Sequence, residues 1–202
     1  MVPTLCVIIP TAGRQSLRRT LDSIAPQVLA GDGCIVVGDV FDGPLPQTEA
    51  ICREYDFVRY VEYAWTGHMF GHPQFEYGQS LVTQDWIVGQ DDDDIFTADA
   101  FAAIRAAIAY AEEPRPLLFR FKSYFDGLVF WHTPGPEWVR PGHIGGHCLC
   151  LPNVAGKIGL RARDGTYRYE SDYDWVADTL KKWEPVEPLW CNHVISIARP
   201  GD

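Results

Sequence analysis

Four short apolar runs, each closed by a polar loop, place the tightest limit on what this chain can fold into. The first, "LCVII" at residues 5–9, is apolar without interruption, the pattern of a strand covered on both faces. "CIVVG" (34–38) repeats it, "FVRYVEY" (57–63) gives a third strand, and "DWIVGQ" (85–90) a fourth. Between the first two, Leu17, Leu21, Ile24 and Val28 fall at helical spacing. Between the third and fourth, a Gly-rich stretch becomes helical from about Pro73, where proline suits a first turn. Strands alternating with helices predict a parallel sheet. The loops after its strands, here residues 11–14, 39–42, 67–74 and 91–94, gather on one edge, where ligands bind.

The second half changes style. "ADAFAAIRAAIAYAEE" (98–113) reads as a helix capped by Thr97, with Phe101, Ile104, Ile108 and Ala111 on one face and "PRP" beyond its end. "LLFRFKSYFDGLVFWH" (117–132) predicts two strands around an Asp126-Gly127 turn. "HIGGHCLCLPN" (143–153) is another strand. "ESDYDWVADTLKKW" (170–183) is a helix with Ser171 as cap and a stripe of Trp175, Val176, Thr179, Leu180 and Trp183. A last strand in "WCNHVISIARPGD" carries Asn192 and His193 at its start. The expectation for these 202 residues is one α/β domain, a mostly parallel central sheet with a smaller mixed or antiparallel second half.

The formal charge of −10 argues against a broad basic face for nucleic acid, though Arg161, Arg163 and Arg168 make a local basic patch. It leaves room for a small nucleotide held by a metal. Most of the six cysteines sit inside apolar runs, where a thiol behaves as a small hydrophobe, so they are expected to be reduced and the protein cytoplasmic. No apolar run approaches the length of a membrane span, so a soluble protein is expected. His143 and His147 flank "IGG" ahead of Cys148 and Cys150, but "HCLCLP" alternates as a strand and lacks a second ligand pair, which argues against zinc. Trp65, Trp131 and Trp138 suit either the core or a surface that stacks on a sugar or base.

The fourth strand runs into "VGQDDDDIF" (88–96), four aspartates in succession. They could form a solvated turn or cap a helix; their place directly after a buried strand favours a cation site. Hard divalent cations take carboxylate oxygens, and Mg²⁺ or Mn²⁺ is commonly shared between one or two carboxylates and substrate phosphates. In an extended stretch Asp91 and Asp93 would face one side, with Asp92 and Asp94 facing the other.

Taken in order, "VIIPTAGR", "LRRTLDSI", "IVVGDVFDG", "GHPQ", "WIVGQDDDDIF" and "YESDYDW" resemble the family 2 glycosyltransferases of the GT-A (Rossmann-like) fold. That resemblance implies an inverting transfer from a nucleotide diphosphate sugar, commonly a UDP-sugar, with Mn²⁺ or Mg²⁺ held on the diphosphate by a DXD motif. It implies that Pro10, Thr11 and Arg14 meet the nucleotide and that Asp39, with Asp42 in reserve, recognises base or ribose; Gly38 stands where the family has an Asp. Gly71 and Gln74 would contact the donor, although Phe75 and Glu76 replace the "RN" that commonly follows, removing a positive charge. Asp91 and Asp93 match the DXD motif, Asp93 as the direct ligand and Asp92 on the donor side. Asp172 matches the base that deprotonates the acceptor, with Ser171 in place of the usual Glu; alone, Asp172 and Asp174 also suit the first turn of any amphipathic helix. Gly145, Gly146 and His147 would lie beside the sugars, and His193 would complete the metal shell or touch a phosphate.

Residues 1–95 would form the nucleotide-sugar half and 96–202 the acceptor and base half. The acceptor would be a hydroxyl on a protein, a glycan or a small molecule, DNA being less natural for an acidic chain. Two other classes remain open. A nucleotidyltransferase would want a Gly-rich basic loop after the first strand, of which "TAGR" with Arg18 and Arg19 is a thin version. A non-catalytic sugar- or nucleotide-binding protein is motivated by Gly38, Phe75 and Ser171.

Overall fold

A computed structural model describes residues 2–65, 69–123, 127–131, 135–162 and 165–200. Gly67, Asp126 and Arg163, named above, lie outside them. The four apolar runs become β1 (Leu5–Thr11), β2 (Gly33–Asp39), β3 (Val58–Tyr63) and β4 (Trp86–Gly89). All pair in parallel, with β1 between β2 and β4. The remaining strands are β5 (Ile95–Phe96), β6 (Leu117–Ser123), β7 (Val129–Phe130), β8 (Leu149–Pro152) and β9 (Leu189–Ala198). They continue one sheet in the order β3-β2-β1-β4-β8-β6-β9-β5, with β7 on β6. There β8 runs antiparallel to both β4 and β6, so the second half is mixed, as the sequence predicts.

Alternation along β1 shows why helices cover both faces. Leu5, Val7 and Ile9 pack with Leu17, Leu21 and Ile24 of α1 (Leu17–Ile24) and with Phe101 and Ile104 of α4 (Ala100–Tyr110). Ile8 points the other way, to Phe75 of α3 (His72–Ser80) and to Trp175 and Val176 of α5 (Ser171–Trp183). Trp131 is fully buried on this second face against Trp190, so it is a core residue. Trp65 sits edge-on to Tyr167, and Trp138 lies under the Arg140 guanidinium.

A short helix, α2 (Pro46–Cys52), follows the polar loop after β2 and buries Ile51 and Cys52. Several local readings are corrected. Thr97 does not cap α4: its hydroxyl donates to Val194 O at 3.0 Å, and Asp99 takes the cap position. Ser171 is the first residue inside α5, where its buried hydroxyl accepts from the Arg168 amide at 2.8 Å. The strand expected in residues 143–153 starts later, because Gly146–Cys148 forms a 3₁₀ turn ahead of β8. Asn192 and His193 lie inside β9, where its register against β6 jumps from Cys191 to Val194.

Candidate active site

A cleft of about 490 Å³ opens at the carboxyl ends of the parallel strands. Pro10, Thr11 and Arg14 come to it from the end of β1, Asp39 from β2, Gly71 and His72 from the start of α3, and Asp91, Asp92 and Asp93 from beyond β4. His147 and Asp172 close it from the second half of the chain. Gly71 has φ +77°, and a Cβ there would sit 2.7 Å from Pro10 Cβ, so this approach of two loops requires glycine.

The four aspartates do not alternate. Asp94 N donates to Asp91 O at 3.3 Å, closing a turn that puts the first and fourth residues on one side. Thr20 of α1 fixes this turn, its hydroxyl lying 3.1 Å from Asp92 O and 2.7 Å from Asp94 O. Asp92 is buried; it accepts from the Thr11 hydroxyl at 2.6 Å and pairs with Arg14 at 3.0 Å. Asp93 pairs with Arg14 at 2.8 Å and lies 3.7 Å from Arg199 Nε. Asp91 and Asp94 instead meet His147, with one ligand atom from each inside a 4.8 Å span.

Burial, reinforced by neighbouring carboxylates, pushes both Asp91 and Asp94 up to about 7. Burial opposes charge on His147, yet Cys148, Asp91 and Asp172 raise it to about 9. His147 is half-buried with both ring nitrogens shielded from solvent; Nδ1 lies 3.4 Å from Asp94, and neither nitrogen has a hydrogen-bond partner among the described residues. Two crowded carboxylates and an unsatisfied imidazole are the donor set of a divalent cation site, so the residues fit Mn²⁺ or Mg²⁺. Asp94 and His147 group with Asp91, while Asp93, the ligand the resemblance implies, faces two guanidinium groups.

Asp172, the second residue of α5, pairs with Arg161, a residue whose sequence context suggests only a basic patch. Arg161 is 3% exposed; its guanidinium lies 3.8 Å from the centroid of the Phe75 ring and reaches His72 Nδ1 at 2.9 Å. Arginine has no acceptor, so His72 Nδ1 must be unprotonated, placing the proton of the neutral ring on Nε2. Burial and Arg161 hold His72 down at about 4, so it is neutral at pH 7. Burial would raise Asp172, but Arg161, His72, His147 and the Gly146 amide together hold it below the usual carboxylate range. Asp172 is therefore ionised at neutral pH and can accept a proton.

Arg161→Met, which can fill the space over Phe75, is expected to lower kcat about ten- to a hundredfold by releasing Asp172. With Arg161 gone, burial dominates and the Asp172 pKa rises. For a reaction that used the Asp172 carboxylate as base, the acidic limb would move to higher pH, as a pH profile of kcat will read.

The family model for Glycosyl transferase family 2 matches residues 6–162, well over half of the chain. The chain belongs to glycosyl transferase family 2. No curated protein sequence matches it. Among solved structures, S. aureus TarS 1–349 superposes with a TM-score of 0.65 at 14% identity, covering 96% of this chain and 60% of that one. A longer S. aureus TarS structure gives 0.67 at 13%, covering 96% and 36%. TarS 1–349 in complex with UDP-GlcNAc gives 0.64 at 13%, covering 98% and 60%. These likenesses show the GT-A fold, and the chain spans 60% or less of the TarS chains' length.

The departures from the family pattern have local causes in this member. Tyr60 Oη occupies the space a side chain at Gly38 would need. Phe75 lies beneath Arg161, and Glu76 accepts from the Ala162 amide at 3.1 Å and the Tyr167 hydroxyl at 2.7 Å. Arg161, from the loop after β8, is thus packed over α3 and paired with Asp172.

Four expected site residues fall outside the cleft. Asp42 is exposed beyond its rim. Gln74 is buried, donating to Tyr63 O at 3.3 Å. Gly146 lies behind the wall, where a Cβ would collide with Arg161; its absence of a side chain lets Arg161 reach Asp172. His193 is turned outward by the irregular register of β9 and faces Asp99 at 3.2 Å, which corrects its assignment to the metal. Of the basic patch, Arg161 is buried and Arg168 pairs with Asp174 at 2.6 Å, while Arg163 lies outside the described residues. Sequence reading assigns no role to His72, Phe70, Tyr169, Tyr173 or Arg199, all cleft residues; the loop at 67–74 contains the first two, "YESDYDW" contains both tyrosines, and only folding brings in Arg199.

Proposed function

We propose that the chain transfers a sugar from a nucleoside diphosphate donor, a UDP-sugar, to an acceptor hydroxyl in one inverting displacement. The observation that carries this reading is the meeting of Asp91 and His147 with Asp172 across one cleft, with Asp94 buried against the first two. Residues 1–95 hold the donor and 96–202 bring the base, with His147 crossing to the aspartates. Asp39 faces the nucleoside, and Arg14 and Arg199, both more than half exposed beside Asp93, face the diphosphate. Asp91, Asp94 and His147 would hold Mn²⁺ or Mg²⁺, which when bound supplies positive charge to offset the leaving diphosphate. Asp172 takes the proton from the acceptor hydroxyl while its oxygen forms the bond to the anomeric carbon. The diphosphate leaves from the opposite face with the bonding electrons, inverting that carbon. The TarS complexes with UDP-GlcNAc and with UDP support a uridine donor.

Among the described residues no helix is long and apolar enough to cross a membrane, and all six cysteines are free thiols; we place the chain in the cytoplasm. The test is incubation with UDP-GlcNAc and Mn²⁺, with chromatography of the products. UDP without pyrophosphate is expected, and an anomeric proton of opposite configuration in the product. Release of pyrophosphate would instead identify a nucleotidyltransferase. Binding of the donor with no turnover toward any acceptor or water would identify a non-catalytic member.

A further inference from the structure

Two exposed aromatic rings meet at the mouth of the cleft. Phe70 is 64% exposed and Tyr169 69% exposed, and their rings lie 5.4 Å apart at 82°. They come from different parts of the chain: Phe70 immediately precedes Gly71 at the entry to α3, and Tyr169 lies three residues ahead of Asp172. Other large exposed hydrophobic residues, such as Leu29, Tyr110 and Leu160, are set in separate stretches of chain, which is ordinary for a protein surface. A touching pair lining the reaction cleft is different. Phe70 also has φ +54°, a left-handed conformation that costs energy in any residue with a Cβ. Burial of its own ring does not recompense that cost, since the ring is in solvent, and strain of this kind collects at ligand clamps.

We propose that Phe70 and Tyr169 form the acceptor subsite and that the acceptor is itself a saccharide. The inference rests on the glycosyl-transfer reading and names the half of the reaction it leaves open. An acceptor hydroxyl placed on Asp172 must keep the rest of its molecule within the same cleft, whose lining includes Tyr169, Glu170, Tyr173 and Phe70. A pyranose ring has an apolar C–H face and a rim of hydroxyls. The site offers aromatic surface for the face and the Glu170 and Asp172 carboxylates for the rim. Rings at 82° give no parallel slot for a flat heteroaromatic acceptor, and carboxylates on the same lip repel a fatty chain. The donor nucleoside belongs beside Asp39, at the end of β2, on the far side of β1 from β4.

The test measures UDP release from UDP-GlcNAc with Mn²⁺ while methyl β-glucoside, methyl β-galactoside, methyl N-acetyl-β-glucosaminide, glycerol, 4-nitrophenol and a serine peptide are titrated in turn. At least one methyl glycoside is expected to accelerate release with a saturable KM. Phe70→Ala and Tyr169→Ala are each expected to raise that KM about tenfold, the loss of one packed ring, with a much smaller change in kcat. Phe70→Tyr and Tyr169→Phe restore the KM, and the rise in melting temperature with UDP is retained in both alanine variants, which shows them folded. Acceleration only by glycerol, 4-nitrophenol or the peptide overturns the proposal. So does a glycoside KM that stays within about twofold in both alanine variants, or the absence of any glycoside effect in a protein that releases UDP. A wild-type protein that neither binds nor cleaves UDP-GlcNAc fails the glycosyl-transfer reading instead.

Discussion

Asp172→Asn is expected to reduce sugar transfer by roughly 10³-fold, within the range for removing a general base, while leaving UDP binding in place. Asn keeps the shape and one accepting oxygen, so the Gly146 amide and Arg161 retain a partner on α5. What Asn lacks is the negative charge that receives the proton. The charge has a structural duty as well: Arg161 is buried, and leaving its guanidinium opposite a neutral amide destabilises the fold. A lower melting temperature is therefore expected alongside the lost turnover. The two effects separate in one experiment, because the stabilisation by UDP should persist at an unchanged increment. Transfer near the wild-type rate would remove Asp172 from the chemistry.

The positions of the cleft residues were legible to different degrees, for physical reasons. Buried parallel strands write themselves as unbroken apolar runs, so β1, β2 and β4 and the loops that follow them could be placed from residues alone. Which aspartates face together could not. Alternation holds only in extended backbone, and the bond from Asp94 N to Asp91 O with Thr20 bracing from α1 makes the run a turn. Nothing local to "DDDD" announces a threonine about seventy positions away. His193 misled for a related reason: the two residues skipped in the β6–β9 register read as ordinary strand until the pairing is known. Arg161 stands in "GLRAR" like any surface arginine. Its burial depends on Phe75 and Trp175 giving it aromatic faces and on Gly146 leaving room, three contacts distant in sequence. Local pattern carries strand, helix and loop order; the charge network arises from side chains that meet only after folding.

Chelation is expected to lower transfer by at least about 10²-fold, and the pH dependence of metal binding should show which residues hold the ion. Asp91 and Asp94 are raised to about 7 by burial and neighbouring carboxylates, so the metal-free fold retains protons that the unfolded chain releases near pH 4. More protons on the folded state means stability falls as pH rises from about 4 to about 7, and His147, raised to about 9, extends the fall to about pH 9. A divalent cation must displace those protons, so its affinity rises across the same interval. Mn²⁺ should consequently raise the melting temperature more at pH 8 than at pH 5.5. Asp91→Asn removes one of the two repelling charges. At pH 8 without metal it is expected to raise the melting temperature by roughly 2–4 °C, equivalent to ~1 kcal/mol for a chain of this size. The same variant should lose both the Mn²⁺-induced rise and transfer. A variant more stable than the parent yet inactive would mark the pair as conserving charge for the ion at the expense of the fold, whereas Asp93→Asn, which faces Arg14 and Arg199, should keep the Mn²⁺ response. Loss of that response in Asp93→Asn but not in Asp91→Asn would return the ligand role to Asp93.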